Sequence, residues 1–326
     1  MDSLKLAFEN ATNDSTRCHI LAIMVETEAD DKIWPKYNEQ LLSMVEEKLF
    51  RSSLSNSLKR YYLGYQASAF NNKGFVFDDE GDISNALEYY HKSLKIREDL
   101  KDDAGIAQSL NNIGVVYDDL GDKNSALIYY DRSLKIKERL KDKHGISYTL
   151  NNIGACYNNL KDGSKALQYY QKSLKLLEEL NDKLGIAYAL NNIGTIYKGQ
   201  RNISSSLDYY QRSYKIYEDV NDKAGVTTAL NNIATVMLLD GKLSLAKEFA
   251  LKSLQKSRDL GFPYNILRAA ETLKAVYQKQ QNYKGALEMY ELQIQMSDSI
   301  NSQENKKAGI KNNFNTNTKS RLLQIA

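Results

Sequence analysis

The chain has 326 residues and a formal net charge of +3, with 26% charged and 42% hydrophobic residues. This balance is typical of a soluble folded chain and argues against a disordered or an integral membrane protein. Three histidines, two cysteines (Cys18 and Cys156) and two prolines leave little material for a metal site, a disulfide framework or a nucleophile–base pair. We therefore predict a protein that is not an enzyme and binds no cofactor.

Residues 1–60 are predicted to form a divergent helical cap. The first 20 residues have no basic stretch followed by an apolar run, so they do not resemble a secretory leader. We expect a cytoplasmic protein, or an extracytoplasmic one if a leader was trimmed. Apolar residues at helical spacing between 20 and 49 predict two amphipathic helices, and Pro35 suits the first turn of the second. Residues 51–60 are the predicted connector.

The middle of the chain repeats every 40 residues, and a pair of asparagines marks each of five units. The pairs are Asn71 and Asn72, Asn111 and Asn112, Asn151 and Asn152, Asn191 and Asn192, and Asn231 and Asn232. Units start near 65, 105, 145, 185, 225 and 265, and the sixth is degenerate because Glu271 and Thr272 replace the asparagines. We predict a six-unit repeat domain over 61–304 and a polar, disordered tail over 305–326.

Each unit is predicted to be a helix hairpin. Leu110, Ile113 and Tyr117 recur at helical spacing, Gly121 interrupts them, and a second helical pattern begins at Ala126. Two helices of this length cannot bury their apolar faces alone, so the units must stack on one another. Stacking predicts an all-α superhelical solenoid with a concave face.

The unit resembles the tetratricopeptide repeat in the spacing of Leu110, Ile113, Gly114, Tyr117, Ala126 and Tyr130. It is longer than that family's repeat of about 34 residues, and Glu138 stands where the family has proline. In this it is similar to the extended subclass, which includes kinesin light chain repeats, and to the repeats of bacterial signalling proteins. The resemblance implies a right-handed solenoid of antiparallel hairpins whose concave groove binds a protein or peptide segment.

Small residues inside the helices need a structural reason. Gly114, Gly154 and Gly194 stand in mid-helix, where glycine costs about 1 kcal/mol relative to alanine. We expect each to let the paired helix approach closely, with Ala234 in the same position of the fifth unit. Lys274 breaks this rule in the sixth unit.

The asparagine pairs are the first candidate binding residues. In tetratricopeptide stacks this face lines the groove, and a ladder of amides could pair with the backbone of an extended peptide without reading its sequence. The alternative is that one asparagine of each pair bonds the adjacent repeat and is purely structural.

A second candidate is a change of character along the same face, from acidic to apolar. The residues that define it are Asp78, Asp79, Asp118, Asp119, Leu238 and Leu239. A fitting ligand would be basic at one end and apolar at the other. The alternative is that the aspartates are ordinary solvated residues and that the two leucines pack beneath the sixth unit.

The ladder positions hold Asn, Val, Ala and Thr rather than Lys and Arg, so we predict that a free C-terminal carboxylate is not the recognised group.

A basic column on the second helices runs through Lys92, Arg132, Lys172, Arg212 and Lys252. Glutamates farther along the same helices, such as Glu98, can pair with the lysines that follow this column, so we interpret it as a solvated face rather than a nucleic-acid site. The tyrosine pairs at 89/90, 129/130, 169/170 and 209/210 are interpreted as packing residues.

These observations favour a non-catalytic scaffold that binds a partner segment in the groove, without a membrane span. A homo-oligomer is compatible with the sequence. The alternative is the sensory or regulatory part of a bacterial signalling protein whose kinase, cyclase or transcription-regulator module is absent.

Overall fold

A computed structural model describes residues 1–51 and 54–301, and within them the chain is helical without strands. The first helices are α1 (Asp2–Asn10), α2 (Asp14–Thr27), α3 (Trp34–Phe50), α4 (Asn56–Asp79), α5 (Ile83–Leu100), α6 (Asp103–Asp119) and α7 (Lys123–Leu140). They are followed by α8 (Lys143–Asn159), α9 (Gly163–Leu180), α10 (Lys183–Gly199), α11 (Ile203–Asp219), α12 (Lys223–Leu239), α13 (Leu243–Leu260), α14 (Pro263–Lys279) and α15 (283–301).

The described helices fall into two compact units. The N-terminal unit contains α1–α7 and ends at Lys141, and the C-terminal unit begins at Asp142. In each unit, consecutive helices joined by short turns pack side by side, as α4 does with α5 and α8 with α9. The predicted helix hairpins are confirmed. No described helix combines the length and the apolar character that a membrane crossing requires.

The cap differs in part from its prediction. The two expected amphipathic helices are α2 and α3, and Pro35 lies in the first turn of α3 as predicted. An additional helix, α1, precedes them. The connector over 51–60 is wrong beyond residue 55, because Ser55 caps a helix that begins at Asn56. The predicted tail over 305–326 lies outside the described residues.

The helix turns repeat every 20 residues. One residue in each turn has positive φ: Gly81, Lys101, Gly121, Lys141, Lys161, Asn181, Arg201, Asn221, Gly241, Gly261 and Gln281. From α5 to α12 the residue that follows is Asp or Asn and caps the next helix; Asp122, for example, accepts a hydrogen bond from Ser125 N at 3.1 Å. Each turn therefore ends one helix and starts the next within three residues.

The left-handed turns predict a stabilising substitution. Lys161 is exposed and holds φ at 64°, a conformation that costs a side chain about 1 kcal/mol and glycine almost nothing. We expect Lys161→Gly to raise the free energy of unfolding by about 0.5–1 kcal/mol. The reciprocal change, Gly121→Lys at φ 81°, should lower it by a similar amount in the same chemical denaturation experiment. A destabilised Lys161→Gly protein would contradict this account of the turns.

The mid-helix glycines have the predicted role. A Cβ atom placed on Gly114 would lie 2.7 Å from Tyr130 Cε1, and one on Gly194 would lie 2.8 Å from Tyr210 Cδ1. Each of these tyrosines is buried on the second helix of the hairpin. The glycines therefore make room for a ring of the paired helix, which compensates for their low helix propensity.

Buried serines fasten the second helices. They recur every 40 residues, and each donates its hydroxyl proton to a backbone carbonyl 26 residues earlier at 2.7–3.0 Å. The donors are Ser93, Ser133, Ser173, Ser213 and Ser253. Their regular spacing was present in the sequence, but the prediction did not use it. These bonds fix each second helix against the first helix of the same hairpin and so position the asparagine face.

Candidate functional site: the asparagine face of the first helices

The asparagine pairs bond from repeat to repeat. In the N-terminal unit, Asn112 Nδ2 donates to Asn71 Oδ1 at 3.0 Å. In the C-terminal unit, Asn232 Nδ2 donates to Asn191 Oδ1 at 2.8 Å. The second asparagine of one unit thus holds the first asparagine of the unit before it. For these pairs the geometry favours the structural alternative stated above.

Two ladder members were missed from the sequence. Asn38 of α3 is buried, accepts a hydrogen bond from Asn72 Nδ2 at 3.1 Å and donates to Ala69 O at 3.0 Å. At the other end, Arg268 Nη2 of α14 donates to Asn232 Oδ1 at 3.0 Å. Neither residue belongs to an Asn-Asn pair, so the 40-residue pattern could not identify them. Arg268 is also a cation on the face that was expected to hold none.

The remaining asparagines differ in their bonding. Within the described residues, Asn192 forms no side-chain hydrogen bond and is half-buried. The buried Oδ1 atoms of Asn151 and Asn231 have no partner, although Asn231 Nδ2 donates to Asn265 O at 3.0 Å. Asn231 lacks its donor because Thr272 stands where the next unit would have an asparagine. Asn111 and Asn152 are half-buried on the same helix positions. The ladder is therefore not uniform along the chain.

A cavity of about 420 Å³ opens beside the first asparagine pair in the N-terminal unit. Asn71, Asn72 and Gln108 contribute amides, and Trp34 and Phe75 contribute rings whose centroids are 6.2 Å apart at 45°. Phe75 is 55% exposed, so part of its ring faces the cavity opening and solvent. We call this site the N-terminal cavity.

The same cavity has an acidic rim. Glu26, Glu28 and Asp31 line it, and none of them forms an ion pair within the described residues. Arg97 also lines the cavity, but it is buried and donates to Gly105 O at 2.6 Å and Gln108 Oε1 at 3.0 Å. Burial lowers the pKa of Arg97, while the Asp102 charge partly opposes this. The cavity therefore has three carboxylates and one cation, Arg97, whose guanidinium is already hydrogen-bonded within the protein.

The six residues of the predicted acidic-to-apolar change differ in burial and contacts. Asp118 is half-buried and forms an ion pair with Lys123 at 2.6 Å, whereas Asp79 and Asp119 are exposed. Asp78 is half-buried. Leu238 packs on the core that contains Val236 and Val276, and Leu239 is exposed.

Because Lys123 neutralises Asp118, part of the acidic end has a structural partner. A ligand role for these six residues stays a prediction.

The C-terminal unit carries two cations on its asparagine face. Lys198 of α10 is half-buried, and its pKa is lowered to about 8, chiefly by burial and further by the charge of Arg268. Neither Lys198 nor Arg268 forms an ion pair within the described residues. Two cations with neighbouring charges therefore lie on the asparagine face of the C-terminal unit.

The basic column on the second helices is solvated. Lys92 pairs with Glu88 at 2.7 Å and Lys252 with Glu248 at 2.7 Å. Of the lysines that follow the column, Lys135 pairs with Asp131 at 2.6 Å, one turn earlier in the helix, rather than with the later glutamate. Each member also lies over the aromatic ring three residues before it, as Arg212 does over Tyr209 at 5.4 Å. These contacts give the column a structural role on the helix surface.

The tyrosine pairs pack as interpreted. The second member of each pair, such as Tyr130, is buried against its glycine, and the first stacks on a ring of the preceding helix, as Tyr129 does on Tyr117 at 5.3 Å.

Cys156 and Cys18 are also buried, and burial raises the pKa of Cys18 to about 11. A thiol with a raised pKa is a poor nucleophile.

Stacked helix hairpins with a shared polar face define a helical repeat protein. The tetratricopeptide repeat family model matches residues 65–139 and 145–219. These residues are similar to tetratricopeptide repeats, in agreement with the resemblance, and the fifth and sixth units lie outside the matched residues. No curated protein matches the sequence.

Solved structures with the same fold support this assignment. The apo form of RapI aligns with a TM-score of 0.65 at 18% identity, covering 87% of this chain and 99% of RapI. A Rap protein complexed with competence and sporulation factor gives 0.56 at 15% identity, covering 93% and 96%. A signal-transduction ATPase with a tetratricopeptide repeat sensor from Pyrococcus horikoshii gives 0.69 at 14% identity, covering 94% of this chain and 46% of the ATPase. Identities this low establish the all-α repeat fold alone.

Proposed function

We propose that the chain is a non-catalytic scaffold that holds an extended segment of a partner protein against the asparagine face. In this proposal a basic side chain of the segment enters the N-terminal cavity. The observation that carries the proposal is the cavity itself, where aromatic rings and amides lie inside a rim of three carboxylates without ion pairs. The tetratricopeptide repeat fold is consistent with it, because this fold commonly serves protein interaction.

The chemistry of the cavity fits a lysine or arginine side chain. Its cationic head would be attracted by Glu26, Glu28 and Asp31, and its aliphatic stem would cover the exposed ring of Phe75. A cation over an aromatic ring contributes about 0.5–2 kcal/mol, more where water is excluded. Trp34 offers the largest such ring.

The asparagine ladder contributes in two ways in this proposal. Amides bonded to the adjacent repeat, such as Asn112, hold the spacing of the first helices. Amides without a side-chain bond, such as Asn192 in the C-terminal unit, are available to the backbone of a segment that binds to that unit. The two roles predict different effects of substitution by alanine. Only an asparagine without a side-chain hydrogen bond can be replaced without lowering the free energy of unfolding.

Selection from a random peptide library tests the proposal. We expect the intact chain to enrich peptides with Lys or Arg at one fixed position. The double variant Glu28→Gln/Asp31→Asn should weaken a selected peptide at least about tenfold, because it removes two of the three carboxylates that attract the cation. Isothermal titration calorimetry gives the affinities.

The matched control is Glu88→Gln/Asp131→Asn, which makes the same change of charge on exposed residues of α5 and α7. It should leave the affinity unchanged. Enrichment without a basic position, or equal affinities for both double variants, would contradict the cavity as the binding site. Asn192→Ala, which should melt like the intact chain, checks separately whether an amide of the C-terminal unit contributes to peptide affinity.

A regulatory role is the second candidate. This chain spans 46% of the ATPase whose repeats are described as a sensor, and a repeat sensor joined to an output module would use the same binding face. A gene that continues into a kinase, cyclase or transcription-regulator module would favour this role. The peptide selection tests the binding step common to both candidates.

A further inference from the structure

The last described helix carries a row of apolar side chains on its outer surface, which we call the α15 stripe. Its members are Tyr283, Leu287, Tyr290 and Ile294. They follow one another at intervals of four, three and four residues, so they lie along one side of the helix, and each is between 45% and 73% exposed. Met289, Leu292 and Met296 lie on the other side of α15 and pack on the core of the C-terminal unit.

The same four positions are covered two units earlier. The equivalent residues of α11 are Ile203, Leu207, Tyr210 and Tyr214. They share one core with Ile233, Val236 and Met237 of α12, the first helix of the following unit. The α15 stripe is therefore the surface on which another helix packs inside the repeat array, and no described helix covers it. Terminal units of repeat proteins need a polar outer face to stay in solution alone, so an apolar one indicates a partner.

The spacing of the stripe is the same when read in either direction. In an antiparallel pair of α15 helices, Tyr283 of one copy therefore lies level with Ile294 of the other, and Leu287 lies level with Tyr290. Intervals of four, three and four residues are those of the apolar positions with which two helices interlock. A two-fold axis repeats each contact, as a closed homodimer requires.

Charges beside the stripe favour the same arrangement. Lys284 and Glu291 are exposed, occupy the same position relative to the stripe, and form no ion pair within the described residues. In an antiparallel pair this edge of one helix lies along the same edge of the other. Lys284 of each copy is then placed near Glu291 of the other copy, and such flanking pairs set the orientation of paired helices.

The sequence that follows α15 matches the stripe less well. Residues 302–321 include only two large apolar residues, Ile310 and Phe314. By contrast, α12 presents Ile233, Val236 and Met237 to α11 within two turns. A second copy of α15 supplies four large apolar side chains at the required spacing.

We propose that the α15 stripe is a homodimer interface, in which the α15 helices of two copies of this chain pack antiparallel. The interface uses neither the asparagine face nor the N-terminal cavity, so it is independent of the proposed peptide site. Each dimer would carry two such sites, which favours a partner with two basic segments.

Sedimentation equilibrium of the full chain tests the interface. We expect the mean mass to rise from 37.1 kDa to about twice that value as the concentration increases from about 1 to 100 µM. Leu287→Glu places a charge in the centre of the stripe and should weaken the dimer at least about tenfold. The matched control is Leu251→Glu on α13, which changes a leucine that is 42% exposed and lies outside the stripe. It should leave the dimer unchanged.

Charge reversal tests the antiparallel orientation. Lys284→Glu and Glu291→Lys should each weaken the homodimer, because each places like charges opposite one another. An equimolar mixture of these two variants should form a heterodimer, since every flanking contact then joins a lysine to a glutamate. All of these positions are exposed, so each variant should keep the cooperative melting of the intact chain, which circular dichroism measures.

Three results would overturn the inference. The first is a chain that stays monomeric over the whole range, because the stripe would then be covered by a different protein or by residues 302–326. The second is a dimer that Leu287→Glu does not weaken. The third is a pair of charge variants that do not prefer each other over themselves. Peptides selected at the N-terminal cavity would still bind in each case, so the proposed function would stand.

Discussion

Tyr130→Ala is expected to lower the free energy of unfolding by about 3–5 kcal/mol, since it removes a fully buried ring between the two helices of a hairpin. Gly114→Ala is expected to cost about 1–3 kcal/mol, because its new Cβ would lie 2.7 Å from Tyr130 Cε1. The better helix propensity of alanine offsets only about 1 kcal/mol of this.

The two substitutions should not be additive. In the fifth unit the same two positions hold Ala234 and Ala250, both fully buried, so a small–small pair can replace the glycine–tyrosine pair. We expect the double variant to be less destabilised than the sum of the singles by about 1–3 kcal/mol, since the added methyl group no longer meets a ring. Chemical denaturation of the four proteins measures this coupling.

Gly64→Ala is the control for helix propensity. Apart from neighbouring backbone of α4 itself, no atom lies within 4 Å of a Cβ placed on Gly64, so this change should stabilise the chain by about 0.5–1 kcal/mol. If the effects of Gly114→Ala and Tyr130→Ala on the free energy of unfolding are additive, Gly114 is not required to make room for the Tyr130 ring.

The sixth unit shows what happens when this packing is lost. Lys274 takes the glycine position, and Tyr290, the counterpart of Tyr130, is 48% exposed. The lysine Nζ lies 5.2 Å from the centre of the tyrosine ring instead of leaving room for it. The departure of Lys274 from the repeat pattern, visible in the sequence, therefore corresponds to a real change in how the last hairpin packs.

The hairpins and their close contacts could be predicted because they depend on periodic residue types. Helical spacing of apolar residues defines each helix, and glycine in mid-helix indicates where the paired helix comes close. The structure identifies the tyrosine ring that lies opposite each glycine. The helix α1 was missed although Leu4, Phe8 and Ala11 form an apolar face that packs on the core of the cap, because the helix is only nine residues long and none of its residues is fully buried. The 20-residue recurrence of left-handed turns was hidden because lysine and arginine hold positions typical of glycine.

The candidate site was less predictable because it depends on which side chains meet. The sequence placed asparagines on one face, but the direction of their bonds follows from the stacking of helices 40 residues apart. Asn38 and Arg268 join the ladder from outside the repeat pattern. The acidic rim of the N-terminal cavity comes largely from the segment between α2 and α3, for which no periodic signal exists.

Asn232→Ala is expected to lower the free energy of unfolding by about 2–3 kcal/mol. The side chain is only 3% exposed and makes two hydrogen bonds, one to Asn191 and one to the charged group of Arg268. Its removal leaves the amide oxygen of Asn191 without its donor, and an unsatisfied buried polar group costs about 1–3 kcal/mol.

Asn192→Ala is the matched control, because it makes the same change at the same position of the preceding unit. Within the described residues its side chain forms no hydrogen bond, so we expect a loss below about 0.5 kcal/mol. Comparing the two by chemical denaturation separates the structural part of the ladder from the part that a ligand can use. Equal losses of stability in the two variants would mean that the hydrogen bonds of Asn232 contribute little to folding. The presence of asparagine at these positions would then have to be explained by contact with a ligand.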